Sequence, residues 1–333
     1  MEDGTPKSPM AETSCKIIRR SVYTFLQRYH YFTSAAALLA FPFSVSVLLS
    51  QAYVPSSSTL LPTIYNRLRT LFDAAGFPSS LEFFTVLNQK LSETIFSSIL
   101  TLPFTLTFLL ITKASIIQAL KQNKPTFPPT FSSVLTLYNP LLLTHFCNSL
   151  LILSANATLF FLLFFAFNCF QGFGFSSPNL LLLLSAAGAV LYSIILANAL
   201  IVCNLAMVVS GMERCGGYMT ILKACVLMRG RTSTALSLAL PINMALAAVE
   251  ALFQYRIVRA YHFAEKLGLS MVFEGIFIAY LYSIFVVLDT IVNCMFFKSC
   301  KTDSASLSCS VEIAEVEGDH GYAILRTKEE LIP

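Results

Sequence analysis

Asp289 sits about two-thirds along the apolar run Ser270–Phe297, within YSIFVVLDTIVNCMFF, where a carboxylate has few ways to meet its needs. In such a setting it holds a proton, attracts a cation, or accepts hydrogen bonds from a neighbouring helix. Glu274 lies near the other end of the same run, and Glu250 near the end of the preceding one, long enough to reach water. Asn198, Asn204 and Asn243 fall inside other apolar runs, as do Asn148 and Asn156. An amide bonded across a helix interface contributes about 0.6–2 kcal/mol in lipid. Asp289, Glu274, Asn198, Asn204 and Asn243 therefore form a candidate intramembrane polar site. It reads either as a proton or cation relay, or as a set of interhelical bonds from Asp289 to Asn204, Asn243, Asn293 or a threonine. No HExxH, paired CxxC, phosphate-binding glycine loop or GxSxG occurs, so the chain is expected to be no enzyme, with no catalytic residue, metal or cofactor.

These residues need elements to hold them, and six apolar stretches supply them. They run over Thr33–Val54, Thr94–Ile117, Pro140–Phe167, Leu180–Ser210, Thr234–Phe253 and Ser270–Phe297. About 20 mostly apolar residues in a helix cross a hydrocarbon core of about 30 Å. Backbone groups find no water there, so each run must be helical. The expected fold class is all-α: a polytopic membrane helical bundle with six transmembrane helices and amphipathic surface helices. Pro42, Pro103 and Pro241 fall inside three of the spans and predict kinks.

Composition agrees. The chain is 56% hydrophobic and 12% charged, with mean hydropathy +0.70, outside the range of soluble domains. A net charge of +4 is too small for a nucleic-acid partner. Its distribution says more. Up to Lys301, fourteen basic residues, among them Arg19, Arg20, Lys113, Lys121, Lys223, Arg229, Arg231 and Lys298, fall in the segments on one side of the spans, and six on the other. The positive-inside rule then places both termini in the cytosol, in an endomembrane (ER) or plasma membrane. Nine cysteines are present, with no disulfide framework; Cys15, Cys294 and Cys300 border the cytosolic interface, where palmitoylation is an option.

Residues 1–15 are polar and expected to be disordered, as is the acidic cytosolic tail, 301–333, with Glu312, Glu315, Glu317 and Asp319. Residues 16–300 make the membrane domain. Lys16–Phe32 reads as a basic amphipathic helix on an anionic cytosolic leaflet, through Arg19 and Arg20. Two short surface helices are expected on the outer face, over Leu61–Ala74 and Leu81–Leu91. Lys121–Tyr138, with Pro125, Pro128 and Pro129, reads as a cytosolic loop, and Gln171–Pro178 as a tight turn. In the tail, Glu315-Val316-Glu317 fits a di-acidic export pattern and Tyr322-Ala323-Ile324-Leu325 a tyrosine-based sorting pattern.

Between the fourth and fifth spans, after Glu213 and Gly216-Gly217, Tyr218–Met228 forms a short helix. Met219, Leu222, Cys225, Val226 and Leu227 would face lipid, with Lys223 turned upward and Arg229-Gly230-Arg231 at the end. The lipid bilayer, with anionic cytosolic-leaflet lipids, is thus the expected partner, met by Arg19, Arg20, Lys223, Arg229 and Arg231. LFDAAGFPSSLEFFTVLNQKLSETI, LPFTLTFLLITKASIIQAL and NLAMVVSGMERCGGYMTILKACVLMRGR resemble a plant family of uncharacterised six-span membrane proteins, over about Ser14 to Lys301. More distantly, Glu213, Gly216 or Gly217, Lys223, Arg229 and Gly230 are similar to a pattern in the membrane domain of bacterial glycerophosphodiester phosphodiesterases. The resemblance implies an architecture and a membrane setting, and no phosphodiesterase activity, since no catalytic domain accompanies it.

Two functions follow as expectations. One is a non-enzymatic membrane organiser or adaptor, supported by surface helices at both faces. The other is a small-solute or ion transporter using Asp289 and the Asn-rich fourth span.

Overall fold

The computed structural model describes residues 9–53, 60–74, 82–121, 131–172, 178–260 and 269–329, and these are helical almost throughout, with no strand among them. In chain order the helices are α1 (Pro9–Gln27), α2 (Tyr29–Ala35), α3 (Phe41–Tyr53), α4 (Leu60–Ala74), α5 (Glu82–Phe104), α6 (Leu110–Lys121), α7 (Phe131–Gly172), α8 (Pro178–Glu213), α9 (Tyr218–Met228), α10 (Thr232–Phe253) and α11 (Leu269–Glu329). Short π-helical turns join α2 to α3 (Ala36–Ala40), join α5 to α6 (Thr105–Leu109) and extend α10 (Gln254–Val258). Among the described residues, six stretches are long and apolar enough to cross a bilayer: Tyr29–Ala52, Thr85–Lys121, Val134–Ala166, Ala186–Glu213, Thr232–Val258 and Leu269–Thr302. Proline explains part of the irregularity. Pro42 has no N–H for the carbonyl four residues back, and the π turn lies at that point. Another π turn closely follows Pro103, whereas Pro241 sits within a stretch that stays α-helical.

The core is concentrated at one end of the bundle, the end where α1 and the last turns of α6 and α8 meet α11 and where α9 packs on α7 and α8. There Phe32, Leu110, Ile116, Ile117, Leu141, Leu205, Val287 and Ile291 are wholly enclosed or nearly so. A smaller cluster joins α3, α10 and α11 nearer the opposite face through Leu48, Val249, Phe253, Ile278 and Tyr282. By contrast, α7 and α8 pack on each other beyond the core with Leu153, Phe161, Phe165, Val190 and Ile194 outward. Lipid is the only solvent in which that much apolar surface is cheap.

Several expectations change. α1 starts at Pro9 and turns Ser14, Ile17 and Ser21 into the bundle against α10 and α11; Ser14 Oγ lies 2.6 Å from Ser237 Oγ. Spacing of three and four residues puts these side chains on one face, which docks α1 on protein. Arg19 and Arg20 stay exposed. The surface helix expected over Leu81–Leu91 is the first part of α5, continuous with the second span, and α4 packs on it, Asn88 Nδ2 donating to the Tyr65 carbonyl at 3.3 Å. The segment expected as a disordered tail is helical as far as Glu329. Adding residues to an existing helix costs far less than starting one, and no proline interrupts α11. Phe131–Tyr138, expected as part of a cytosolic loop, is the first part of α7; the Ala75–Pro78 stop, the three prolines before α7 and the turn after Gly172 lie outside the described residues.

Candidate functional site

Three helices bring polar side chains together inside the bundle. Lys113 and Ile117 come from successive turns of α6, Asn204, Met207 and Val208 from α8, and Asp289, Thr290 and Asn293 from α11. Together they line a small void with about 10 Å³ of space for water centres. Asn293, one turn beyond Asp289, donates from Nδ2 to Asp289 Oδ1 at 3.1 Å and also reaches the Asp289 carbonyl at 2.9 Å. Lys113 and Asp289 attract one another across the void, yet among the described residues they form no direct ion pair. Lys113 stands eight residues before Lys121, where α6 ends, and Asp289 nine before Lys298 of α11, so each lies about 12–14 Å along its helix from that basic residue. A polar centre at that depth is costly unless its members serve one another.

Sequence reasoning missed Lys113, which it assigned to a connection. The signal was there: Ala-Ser-Ile-Ile-Gln-Ala-Leu separates Lys113 from Lys121, two further turns of mostly buried helix. Of the expected members, Asp289 and Asn204 meet. Asn198 and Asn243 instead face outward from α8 and α10, Asn198 Nδ2 donating to the Ile194 carbonyl of its own helix. Glu274 accepts a 2.6 Å ion-pair contact from Arg256 Nε near the opposite face. Glu250, read as reaching water, accepts from the Tyr282 hydroxyl at 3.0 Å.

Below the void, cations close the end of α6. Arg28 donates to the Ala119 carbonyl, Lys298 Nζ to Leu120 at 2.9 Å, and Lys121 Nζ to the Met212 carbonyl of α8 at 3.3 Å. The last carbonyls of a helix lack partners within it and carry partial negative charge, so Arg28 and Lys298 bind the end of α6 and Lys121, from α6, the end of α8.

α9 is the second candidate. Gly217 takes φ +82°, a left-handed conformation that suits glycine, and its N–H donates to Thr144 Oγ1 at 3.1 Å. The same hydroxyl stands 3.0 Å from Ser210 Oγ and 3.3 Å from Thr220 Oγ1, so α7, α8 and α9 share one buried polar point. Thr220, Ile221, Ala224 and Met228 face inward. Met219, Leu222 and Val226 face out, with Met219 67% and Val226 75% exposed. Cys225 is exposed and Leu227 half-buried. Lys223 Nζ lies 2.8 Å from Glu213 Oε2, and that carboxylate holds the ammonium above its ordinary range. Arg229 is exposed and Arg231 half-buried.

Among the described residues no cluster of His, Cys, Asp and Glu could hold a metal ion. No curated protein and no solved structure matches the chain. The comparisons show no likeness to the plant family or to the bacterial phosphodiesterase domain. Residues 12–309, which take in α9, all six apolar spans and every residue of the void, match one family, and the chain belongs to it: the family described as domain of unknown function DUF8558.

Proposed function

We propose that this protein is a non-enzymatic organiser of the membrane face that carries its basic residues, taken as the cytosolic face from the charge asymmetry. One observation carries the reading. α9 is fastened to the bundle on one side and offers Met219, Leu222 and Val226 on the other, beside Lys223, Arg229 and Arg231. Full burial of each such apolar side chain contributes about 1.5–3 kcal/mol, and each basic residue near an anionic leaflet about 1 kcal/mol. Inserted in the headgroup region, the helix displaces lipid in one leaflet and recruits anionic lipid around it. Reconstitution tests this. A fluorophore on Val226→Cys, in a chain with the other exposed cysteines replaced, is expected to be quenched by brominated acyl chains and shielded from aqueous iodide. Co-purified phosphatidylserine should fall when Arg229 and Arg231 become Gln. Quenching by iodide alone sinks the proposal.

A second reading, ion transport, is favoured by Lys113 joining Asp289 and Asn204 at membrane depth. Its test is flux through reconstituted vesicles: conduction lost on Asp289→Asn supports it, and no flux of protons or alkali cations removes it.

A further inference from the structure

We infer that the void between α6, α8 and α11 is a proton-exchange site, in which one bound water joins the Lys113 ammonium to the Asp289 carboxylate. The inference rests on neither reading above, since it requires no net flux and no lipid contact.

The size and lining of the void point to this ligand. Its roughly 10 Å³ is the space that one water requires, and a buried water needs two to four polar partners. Lys113, Asn204, Asp289 and Asn293 offer donors and acceptors in that number, whereas Ile117, Met207 and Val208 close the remainder with apolar walls. An alkali cation does not suit the lining, because the ammonium faces the same space. An anion would meet the carboxylate. Water suits both.

The chemistry follows from depth. Two charges at this level of the membrane each carry a desolvation cost, which their attraction offsets only with good geometry. A bridging water gives a second arrangement. Lys113 Nζ gives a proton to the water as the water gives one to Asp289, leaving a neutral amine, a carboxylic acid and the same water. No proton is gained or lost and no oxidant is needed. Proton uptake by the ion-pair form then places one proton on Asp289 while Lys113 stays charged. Outside the lining, the titratable groups close enough to feel the charge of Lys113 or Asp289 are His145 from α7, Cys203 from α8, and Tyr282 and Cys294 on α11. Asn293 fixes one carboxylate oxygen, so the other remains for the water.

Infrared difference spectroscopy on the full chain in lipid nanodiscs tests the proposal. A pH step should raise a protonated-carboxyl stretch that is absent in Asp289→Asn, and whose midpoint moves by about one pH unit or more in Lys113→Gln. Exchange into heavy-oxygen water should shift a buried O–H stretch that Asn204→Leu abolishes. The double variant Lys113→Met/Asp289→Leu should fold and lack both signals, which separates loss of the site from loss of the fold. The proposal is overturned if the carboxyl band survives Asp289→Asn, if Lys113→Gln leaves its midpoint in place, or if no buried water responds to the isotope.

Discussion

Gly216 lies against the backbone of Pro140 so closely that a Cβ built on it would stand 3.0 Å from Pro140 Cα and 3.1 Å from its carbonyl oxygen. Both partners are main chain, which cannot rotate aside as a side chain can. The contact sets where α9 leaves α8 and meets α7, and with it the depth of Met219 and Val226. Gly216→Ala should therefore cost about 1–3 kcal/mol, the usual range for overpacking. Thermal unfolding in detergent would measure it. Iodide access to a probe at position 226 should rise in the same variant, since α9 must move away to admit the methyl group.

The ion pair of Lys223 with Glu213 has a defined pH range. The lysine is held above its ordinary value of 10.5 by the carboxylate, so the charged form is favoured in the folded protein. Its contribution is complete below that ordinary value and is lost as pH rises through the higher, folded one. The mobility of a spin label on α9 should thus stay constant from neutral pH to about 10 and increase only in stronger alkali. Glu213→Gln should raise the mobility already at neutral pH and remove the alkaline step. A label whose mobility changes near neutrality would contradict this account.

What was readable in the sequence depended on whether a feature was local. α9 spans Tyr218–Met228 as expected because its limits are local: two glycines before it, and Arg-Gly-Arg after it. The six spans were equally plain, as length and hydropathy need no partner. The void was not. α8 and α10 are apolar on all sides, so no periodic stripe shows which face turns inward. Asn204 points in, while Asn198 and Asn243 point out, and only the packing of α6, α8 and α11 distinguishes them. Lys113 was misread for a related reason. A lysine normally marks the end of a span, and a charged partner on α11, far along the chain, is invisible to a local window.

The Arg256–Glu274 pair looks strong at 2.6 Å but contributes little. Its side chains are 54% and 35% exposed, and holding two long exposed side chains in one geometry costs most of what their attraction supplies. Glu274→Gln should leave the unfolding midpoint nearly unchanged and leave the carboxyl band of Asp289 intact. A large loss of stability would show that this end of α11 is bound more tightly than its exposure implies.

Cysteine accessibility separates the residues near the basic face. Cys15 and Cys225 are exposed, whereas Cys294 and Cys300 are 0% and 1% exposed, enclosed where α11 packs on the bundle. Acylation of either buried thiol would require α11 to leave its neighbours. Maleimide labelling of the folded protein in membranes should therefore modify Cys15 and spare Cys294 and Cys300, with Cys225 reacting once detergent replaces the bilayer. Acyl exchange on protein from its native membrane should find no palmitate at positions 294 and 300.

Removing one charge from the void should cost more than removing both. Lys113→Met leaves the Asp289 carboxylate without its counter-charge, and loss of one partner from a buried pair costs about 3–5 kcal/mol. Asp289→Leu exposes the ammonium to the same loss. The double variant replaces both with apolar groups of similar volume, a change that is often neutral or stabilising. A double-mutant cycle on unfolding in lipid should therefore give a strongly non-additive result, with the double variant more stable than either single one. Additive losses would show that Lys113 and Asp289 act separately, each satisfied by its own helix and by the asparagines beside it.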